Sequence, residues 1–383
     1  MTSPRAFRIA HIDTGLTLRG GQRQMLLLAH GLRERGHEQV IVCLEGSGLE
    51  GRAQRDGFRV FSLPAHDPGH AFGILLWRQQ LKTWTPHILH AHDGRGQTLA
   101  WLASSGLPVQ RVASRRVTFF PSDRWTYRLK YGRTCDAVIA VSENIRELSV
   151  QAGVPRERIT VIPDGIELPA ELPSATERLR LRTSWQYADD DFVVGLLGAS
   201  TPEKGQDLAL AALGLLTQKL PNARLVLAGD ESASPNQGSK HDANTDSNQI
   251  LRLGAIGDLA SFFPGLDLFI MPSKAEGLGS SALWAMAYGL PVVATRVGGL
   301  AEIVVENETG WLIPPGSPQA LADAISLASR DRGKLIEFGR KGRERAGGFS
   351  AAIMVERTEN LYHSLVSGRG ESKLEKRNSK IDV

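Results

Sequence analysis

Short runs of β-branched and other apolar residues recur along the chain, separated by stretches whose apolar positions fall three and four apart. The first seven runs cover residues 8–13, 39–44, 59–63, 87–92, 110–114, 137–141 and 159–162. Runs this short and this continuously apolar predict strands of a parallel sheet covered by helices on both faces. Between the first two, Met25, Leu28, Ala29 and Leu32 share one helical face, which predicts a helix over 22–35 with Gly36 as its stop. The pattern breaks at Pro163-Asp164-Gly165 and through the Pro-, Glu- and Arg-rich stretch 167–190, then restarts with runs at 192–197, 224–228, 267–271, 291–295 and 310–313. Strand–helix alternation on both sides of one break predicts an α/β protein of two Rossmann-like, doubly wound domains facing a cleft. The expected boundaries are 1–165 for the first domain, 166–190 for a linker and 191–348 for the second domain. A terminal helix over 349–366 is expected to pack across both domains, followed by a disordered tail at 367–383. Residues 231–249 are polar, lack any apolar period and predict a mobile loop.

Composition narrows the class. A chain of 383 residues that is 42% hydrophobic and 22% charged has core enough for two domains. No run reaches the roughly 18 apolar residues that cross a bilayer. The first residues enter the first strand run without an apolar signal core, so the expected location is cytoplasmic. Cys43 and Cys135 each sit in an apolar run and read as buried hydrophobes rather than as a disulfide or metal ligands. The net charge of +4 conceals an asymmetry, because residues 1–165 carry 22 Lys+Arg against 14 Asp+Glu. Part of that excess lies in 111–133, where Arg111, Arg115, Arg116, Arg124, Arg128, Lys130 and Arg133 alternate with Phe119, Phe120, Trp125, Tyr127 and Tyr131. Such a mixture suits a phospholipid headgroup interface or a phosphorylated, lipid-linked partner, with a solvated basic face as the plain alternative. No nucleic-acid-binding module is recognisable.

Candidate chemistry gathers where strand runs end. The run 267–271 leads to Glu276-Gly277-Leu278-Gly279-Ser280, which places a carboxylate, two glycines and a hydroxyl before a helix over 281–288 whose free N–H groups can hold an anion. After the run 192–197, Thr201-Pro202-Glu203-Lys204-Gly205 sets Lys204 at the C-terminal end of a strand, where an ammonium neutralises a diphosphate or simply faces solvent. Gly20 and Gly21 precede the first helix and either admit a phosphate or form a plain turn. His92 and Asp93 close the fourth run as an acid–base or hydroxyl-orienting pair, with Asp93 alternatively a turn cap. Trp284 lies on the helix after Ser280, where an indole either fills core or stacks on a base.

In order, Gly20-Gly21, Pro202-Glu-Lys-Gly205, Glu276-Gly-Leu-Gly279, Val297-Gly-Gly-Leu-Ala-Glu302 and Asn307-Glu-Thr-Gly-Trp-Leu-Ile-Pro-Pro-Gly316 resemble the motifs of family 4 glycosyltransferases of the GT-B fold. The resemblance spans residues 7–366, and Val161-Ile-Pro-Asp-Gly-Ile166 belongs to it as well. His90-Ala-His-Asp93 and Ala113-Ser-Arg-Arg-Val117 are most similar to bacterial members that build lipopolysaccharide and related surface glycans. It implies retaining transfer of a hexosyl or heptosyl group from a nucleotide diphosphate sugar to lipopolysaccharide or another surface-glycan or lipid-linked acceptor. It also implies no obligatory metal or other cofactor, and peripheral contact with the inner membrane face. By position, Lys204 would hold the diphosphate, the backbone of Gly277, Leu278, Gly279 and Ser280 would cap it, and Glu276 would bind donor-sugar hydroxyls. Gly20 and Gly21 would close on the diphosphate from the other domain. Three positions depart from the family pattern: Ala199 replaces an Arg, Arg115-Arg116 stand where many members have a His, and Trp284 replaces a second Glu eight residues after Glu276. These departures keep open a non-catalytic GT-B paralogue that binds or scaffolds, while an epimerase of the same fold fits the motif order less well.

Overall fold

A computed structural model of the protein describes residues 6–65, 71–119, 124–229 and 249–378. The chain forms two compact units, one made of Met1–Gly165 with Ala351–Val383 and the other of Ile166–Ser350.

The first unit is built on a seven-stranded parallel sheet. Its strands are β1 Arg8–Ile12, β2 Glu38–Leu44, β3 Arg59–Leu63, β4 Ile88–Ala91, β5 Gln110–Arg115, β6 Ala137–Ala140 and β7 Ile159–Val161, in the order β3-β2-β1-β4-β5-β6-β7. The chain winds outward in one direction from β1 and in the other from β4, so the switch point lies between these two neighbours. Every residue of β4 and β6 is buried, because helices cover both sheet faces. The helix Gly20–Glu34 buries Met25, Leu28, Ala29 and Leu32, and the chain leaves it through Gly36 at φ 86°, a left-handed conformation that glycine takes without strain.

The second unit carries a six-stranded parallel sheet. Its strands are β8 Phe192–Leu197, β9 Ala223–Ala228, β10 Ile250–Gly254, β11 Leu268–Met271, β12 Val292–Thr295 and β13 Gly310–Ile313, in the order β10-β9-β8-β11-β12-β13. Here the switch point lies between β8 and β11. All twelve sequence-predicted runs are strands. β10 was not among them: it is an edge strand without a single buried residue, so it lacks the continuous apolar run that betrays the others.

Residues 166–190 belong to the second unit instead of forming a separate linker. Their helix Ala175–Ser184 starts in a reciprocal cap between Ser174 and Glu177, and Arg178 and Arg182 reach Asp267, just before β11, at 2.7 and 2.6 Å. The terminal helix Ala351–Asn378 packs into the first unit, where Met354, Val355 and Tyr362 join Phe7, Ile9, Leu28 and Leu32 in one core cluster. It continues through the stretch expected to be a disordered tail as far as Asn378. Apart from Gln249, the loop expected at 231–249 lies outside the described residues.

Candidate active site

Polar side chains collect at the C-terminal edge of each sheet, at its switch point, where the loops after two adjacent strands part and leave room for a ligand. In the second unit Lys204 follows β8 and Glu276 follows β11. Their side chains meet across the switch point with Nζ 2.5 Å from Oε1. Ser273 donates to the same carboxylate oxygen at 3.0 Å, and Glu276 is 8% exposed. The pair leaves an ammonium and a carboxylate side by side at the start of the helix Ser280–Ala287. Gly279 is the N-cap at φ 97° and offers no side-chain cap, so the first N–H groups of that helix stay available for an anion.

Glycines hold this loop in place. A Cβ on Gly298, at φ 48°, would lie 1.9 Å from the carbonyl oxygen of Glu276, and one on Gly299 would lie 2.5 Å from that of Gly277. A Cβ on Gly205, at φ 71°, would meet the Pro272 carbonyl oxygen at 2.3 Å. Gly298 and Gly299 therefore act as the seat of the Glu276–Gly279 loop, a role that the sequence motif alone does not disclose. Trp284 is half-buried and shares its helix face with Ser280, Ser281 and Tyr288. The helix fully buries Ala282, Leu283, Ala285 and Met286 and leaves Trp284 partly exposed.

In the first unit the loop after β1 begins with Asp13. Its Oδ1 accepts hydrogen bonds from the Gly15 N–H at 2.9 Å and from Gln22 Nε2 at 2.8 Å, while Gln22 Oε1 accepts from the Arg19 N–H at 3.0 Å. This clasp fixes the approach to Gly20 and Gly21, the first two residues of their helix. A Cβ at either would meet nothing within 4 Å, and neither has a positive φ. Burial, and next the charge of Asp93, push the Asp13 carboxyl up to about 6.

His92 and Asp93 are placed at the same edge but are otherwise engaged. Asp93 caps the helix Gly94–Ser104 through the Gly96 N–H and accepts from Thr14 Oγ1 at 2.5 Å, which is the capping alternative. His92 is 6% exposed, and its Nε2 and Nδ1 lie 3.1 Å from His11 Nδ1 and 3.3 Å from Arg116 Nη1. Burial holds its pKa well below the usual imidazole value. A buried imidazole with both nitrogens committed is poorly suited to serve as a base, so the geometry disfavours that role for His92. His11 and His90, opposite each other in register on β1 and β4, complete a cluster of three imidazoles close enough for a metal. All six ring nitrogens have protein partners instead, with His11 Nε2 on Gln39 and His90 bonded to Tyr362 and Ser114 at 2.6 and 2.8 Å. The Arg116 cation beside His92 further opposes a second positive charge there. His11, Asp13, Gln22 and Arg116 were missed as a group by sequence reasoning: Gln22 returns to Asp13 from the following helix, and the pairing of β1 with β4 and of β4 with β5 brings His11 and Arg116 to His92.

The segment 111–133 is not a uniform surface. Tyr127 and Tyr131 are buried at 2% and 4% exposure, with the Arg115 guanidinium 5.5 and 5.9 Å from their ring centres, and Arg111 pairs with Asp136. Phe119 and Trp125 are more than two-thirds exposed, and Arg128 and Arg133 are exposed as well, whereas Phe120 lies outside the described residues. No helix among the described residues is long and apolar enough to cross a membrane.

Known proteins share the sequence family and the fold of this chain. Residues 18–169 match the family described as Glycosyltransferase Family 4, and residues 177–345 match Glycosyl transferases group 1. The GDP-mannose-dependent alpha-(1-6)-phosphatidylinositol monomannoside mannosyltransferase of Mycolicibacterium smegmatis is 26% identical over 354 residues, covering 85% of this chain and 90% of that protein. The capsular polysaccharide biosynthesis glycosyltransferase CapM of Staphylococcus aureus is 25% identical over 234 residues, covering 60% of this chain and 62% of CapM. Among solved structures, Anabaena HepE in complex with UDP-glucose superimposes with a TM-score of 0.84 at 22% identity, covering 94% of this chain and all of that one.

Proposed function

The chain belongs to the group 1 glycosyltransferases of the GT-B fold, and from that premise we propose that it transfers a hexosyl or heptosyl group from a nucleotide diphosphate sugar, with retention, to a surface-glycan or lipid-linked acceptor such as lipopolysaccharide. The observation that carries this reading is the Lys204–Glu276 pair at the switch point of the second sheet, beside an uncapped helix start. When a nucleoside diphosphate departs, charge grows on its phosphates. An ammonium and pre-oriented backbone N–H groups stabilise that charge without a metal. Lys204 and the backbone from Gly277 to Ser280 take the diphosphate, while Glu276 binds hydroxyls of the sugar. Trp284, one helical turn beyond Ser280, offers its indole face to the ribose or base in place of a carboxylate. Within the first unit, the open helix start at Gly20 and Gly21 lets a phosphate approach the backbone closely.

The acceptor class is supported by the curated relatives, one of capsular polysaccharide synthesis and one acting on a phosphatidylinositol mannoside. Phe119 and Trp125 with Arg128 and Arg133 suit peripheral contact with anionic lipid. Unchanged sedimentation with phosphatidylglycerol vesicles after both arginines become Gln would remove that contact from the reading. Ala199 and Trp284 support a second reading, a binding protein that has lost turnover. A thermal-shift panel of UDP-, GDP- and ADP-sugars, followed by mass spectrometry for sugar release, separates the two. Stabilisation with release supports the transferase, stabilisation without it supports the binding protein, and no stabilisation by any of them defeats both. With the cognate donor, Glu276→Gln should lower kcat/KM at least about a hundredfold while the affinity for free nucleoside diphosphate stays within about threefold. Equal losses would take Glu276 off the sugar.

A further inference from the structure

The hydrogen bonds beneath Arg116 run in one determined sense. Arg116 has only donors, so its Nη1 donates to His92 Nδ1 at 3.3 Å. His92 then carries its proton on Nε2 and donates to His11 Nδ1 at 3.1 Å. His11 likewise carries its proton on Nε2, and donates to Gln39 Oε1 at 2.9 Å. Gln39 Nε2 donates to the Ala29 carbonyl at 2.9 Å, which turns the amide oxygen towards His11. A compulsory donor at one end and a backbone acceptor at the other demand the same direction. His11, His92 and Gln39 are all buried, at 0%, 6% and 8% exposure. At the open end, Arg116 Nε donates to Asp164 at 2.8 Å, its side chain keeps 14% exposure, and among the described residues its Nη2 has no partner. The guanidinium stands just after β5, beside the β1–β4 switch point.

We propose that Arg116 is a substrate-contacting cation of the first unit that donates Nη2 to a phosphate oxygen, with Asp164, His92, His11 and Gln39 as its positioning residues. A guanidinium held at two points presents its remaining N–H groups in a fixed direction and loses little side-chain freedom when a ligand arrives. The chain of neutral groups steadies Nη1 and adds no carboxylate of its own, while the Asp13 carboxyl, like Asp164, lies within electrostatic reach of the guanidinium. The phosphate belongs to a donor diphosphate or to a phosphorylated acceptor, and only that choice rests on the transferase reading.

Calorimetric titration of the full chain with UDP, GDP and ADP, and separately with glycerol 3-phosphate, tests this. Arg116→Met should weaken binding by about tenfold or more, the scale of one charge-assisted hydrogen bond. Loss for the nucleotides assigns Arg116 to the donor diphosphate, and loss for glycerol 3-phosphate alone assigns it to an acceptor phosphate. No loss for either, or no binding of either to the unaltered chain, overturns the proposal. Binding of glycerol 3-phosphate without any nucleotide would end the transferase reading and leave the Arg116 site standing. His92→Asn keeps an oxygen near the place of Nδ1 and should stay within about threefold of the parent, whereas His92→Leu and Gln39→Leu should each lose about fivefold although neither side chain reaches the ligand. Imidazole nitrogen-15 spectra add a ligand-free measurement: neutral Nε2–H tautomers are expected for His11 and His92 between about pH 5.5 and 8. An Nδ1–H tautomer at either would overturn the positioning chain.

Discussion

At the scale of single residues, the two switch points treat their carboxylates differently. Glu276 shares its oxygen with an ammonium and a hydroxyl, whereas Asp13 is buried beside the charge of Asp93. The Asp13 carboxyl rises from 3.8 to about 6, so the folded chain binds its proton more tightly than the unfolded chain does. Its contribution to stability is therefore complete below about pH 4 and is lost as pH rises through about 6. Asp13→Asn should raise the melting temperature at pH 7.5 by a few degrees, with the gain fading below pH 5. A gain that does not depend on pH would mean that ionisation of Asp13 is not the cause. Trp284 makes a second case. Because it is half-buried on a face it shares with Ser280, Ser281 and Tyr288, Trp284→Glu should cost less than about 1 kcal/mol, where an unpaired carboxylate in the core would cost several. Nucleotide affinity of that variant should be equal or tighter, and a melting temperature lowered by ten degrees would return Trp284 to a packing role.

At the scale of elements, glycines divide into those the fold needs and those it does not. Gly205, Gly279 and Gly298 have positive φ, and a Cβ on any of them would lie within 2.5 Å of a neighbouring atom. Gly20 and Gly21 have ordinary φ and open space, yet they occupy a helix start where alanine is the better residue. Gly21→Ala should therefore add up to about 0.5 kcal/mol of stability while weakening donor binding, and Gly298→Ala should destabilise by about 2 kcal/mol or more. Denaturant melts paired with nucleotide titrations check both, and undiminished donor binding by Gly21→Ala would detach that glycine from the phosphate. The sequence could expose Glu276, Lys204 and the strand pattern because each is local. β11 reads as an apolar run, and the motif that follows it is contiguous. It could not expose the His11–His92–Arg116 chain, whose members are brought together by parallel register, although the His90-x-His92 spacing does put two imidazoles on one strand face. Nor could it show that Asp93 is spent on a helix cap, since an N-cap and an active-site carboxylate look alike before the helix is known to start at Gly94.

At the scale of the molecule, the chain leaves the first unit after Gly165 and returns to it at Ala351, so the first unit is completed by the last helix while the second is one continuous stretch. Met354, Val355 and Tyr362 close a cluster that also contains Phe7, Ile9, Leu28, Leu32 and Ile139, and the Tyr362 hydroxyl is the partner of the buried His90. Ending the chain at Ser350 would uncover that apolar face and leave His90 Nδ1 without its partner, two costs that fall on the first unit alone. The second unit keeps its sheet, its core and the Lys204–Glu276 pair within 166–350. Such a truncation should lose the thermal transition of the first unit and retain a cooperative transition of the second. Nucleoside diphosphate should still raise that remaining transition, because a ligand stabilises the unit that holds it. If calorimetry instead shows the whole signal collapsing on truncation, the two units fold as one. If the surviving transition ignores every nucleotide that stabilises the full chain, the nucleotide is not held by the second unit by itself.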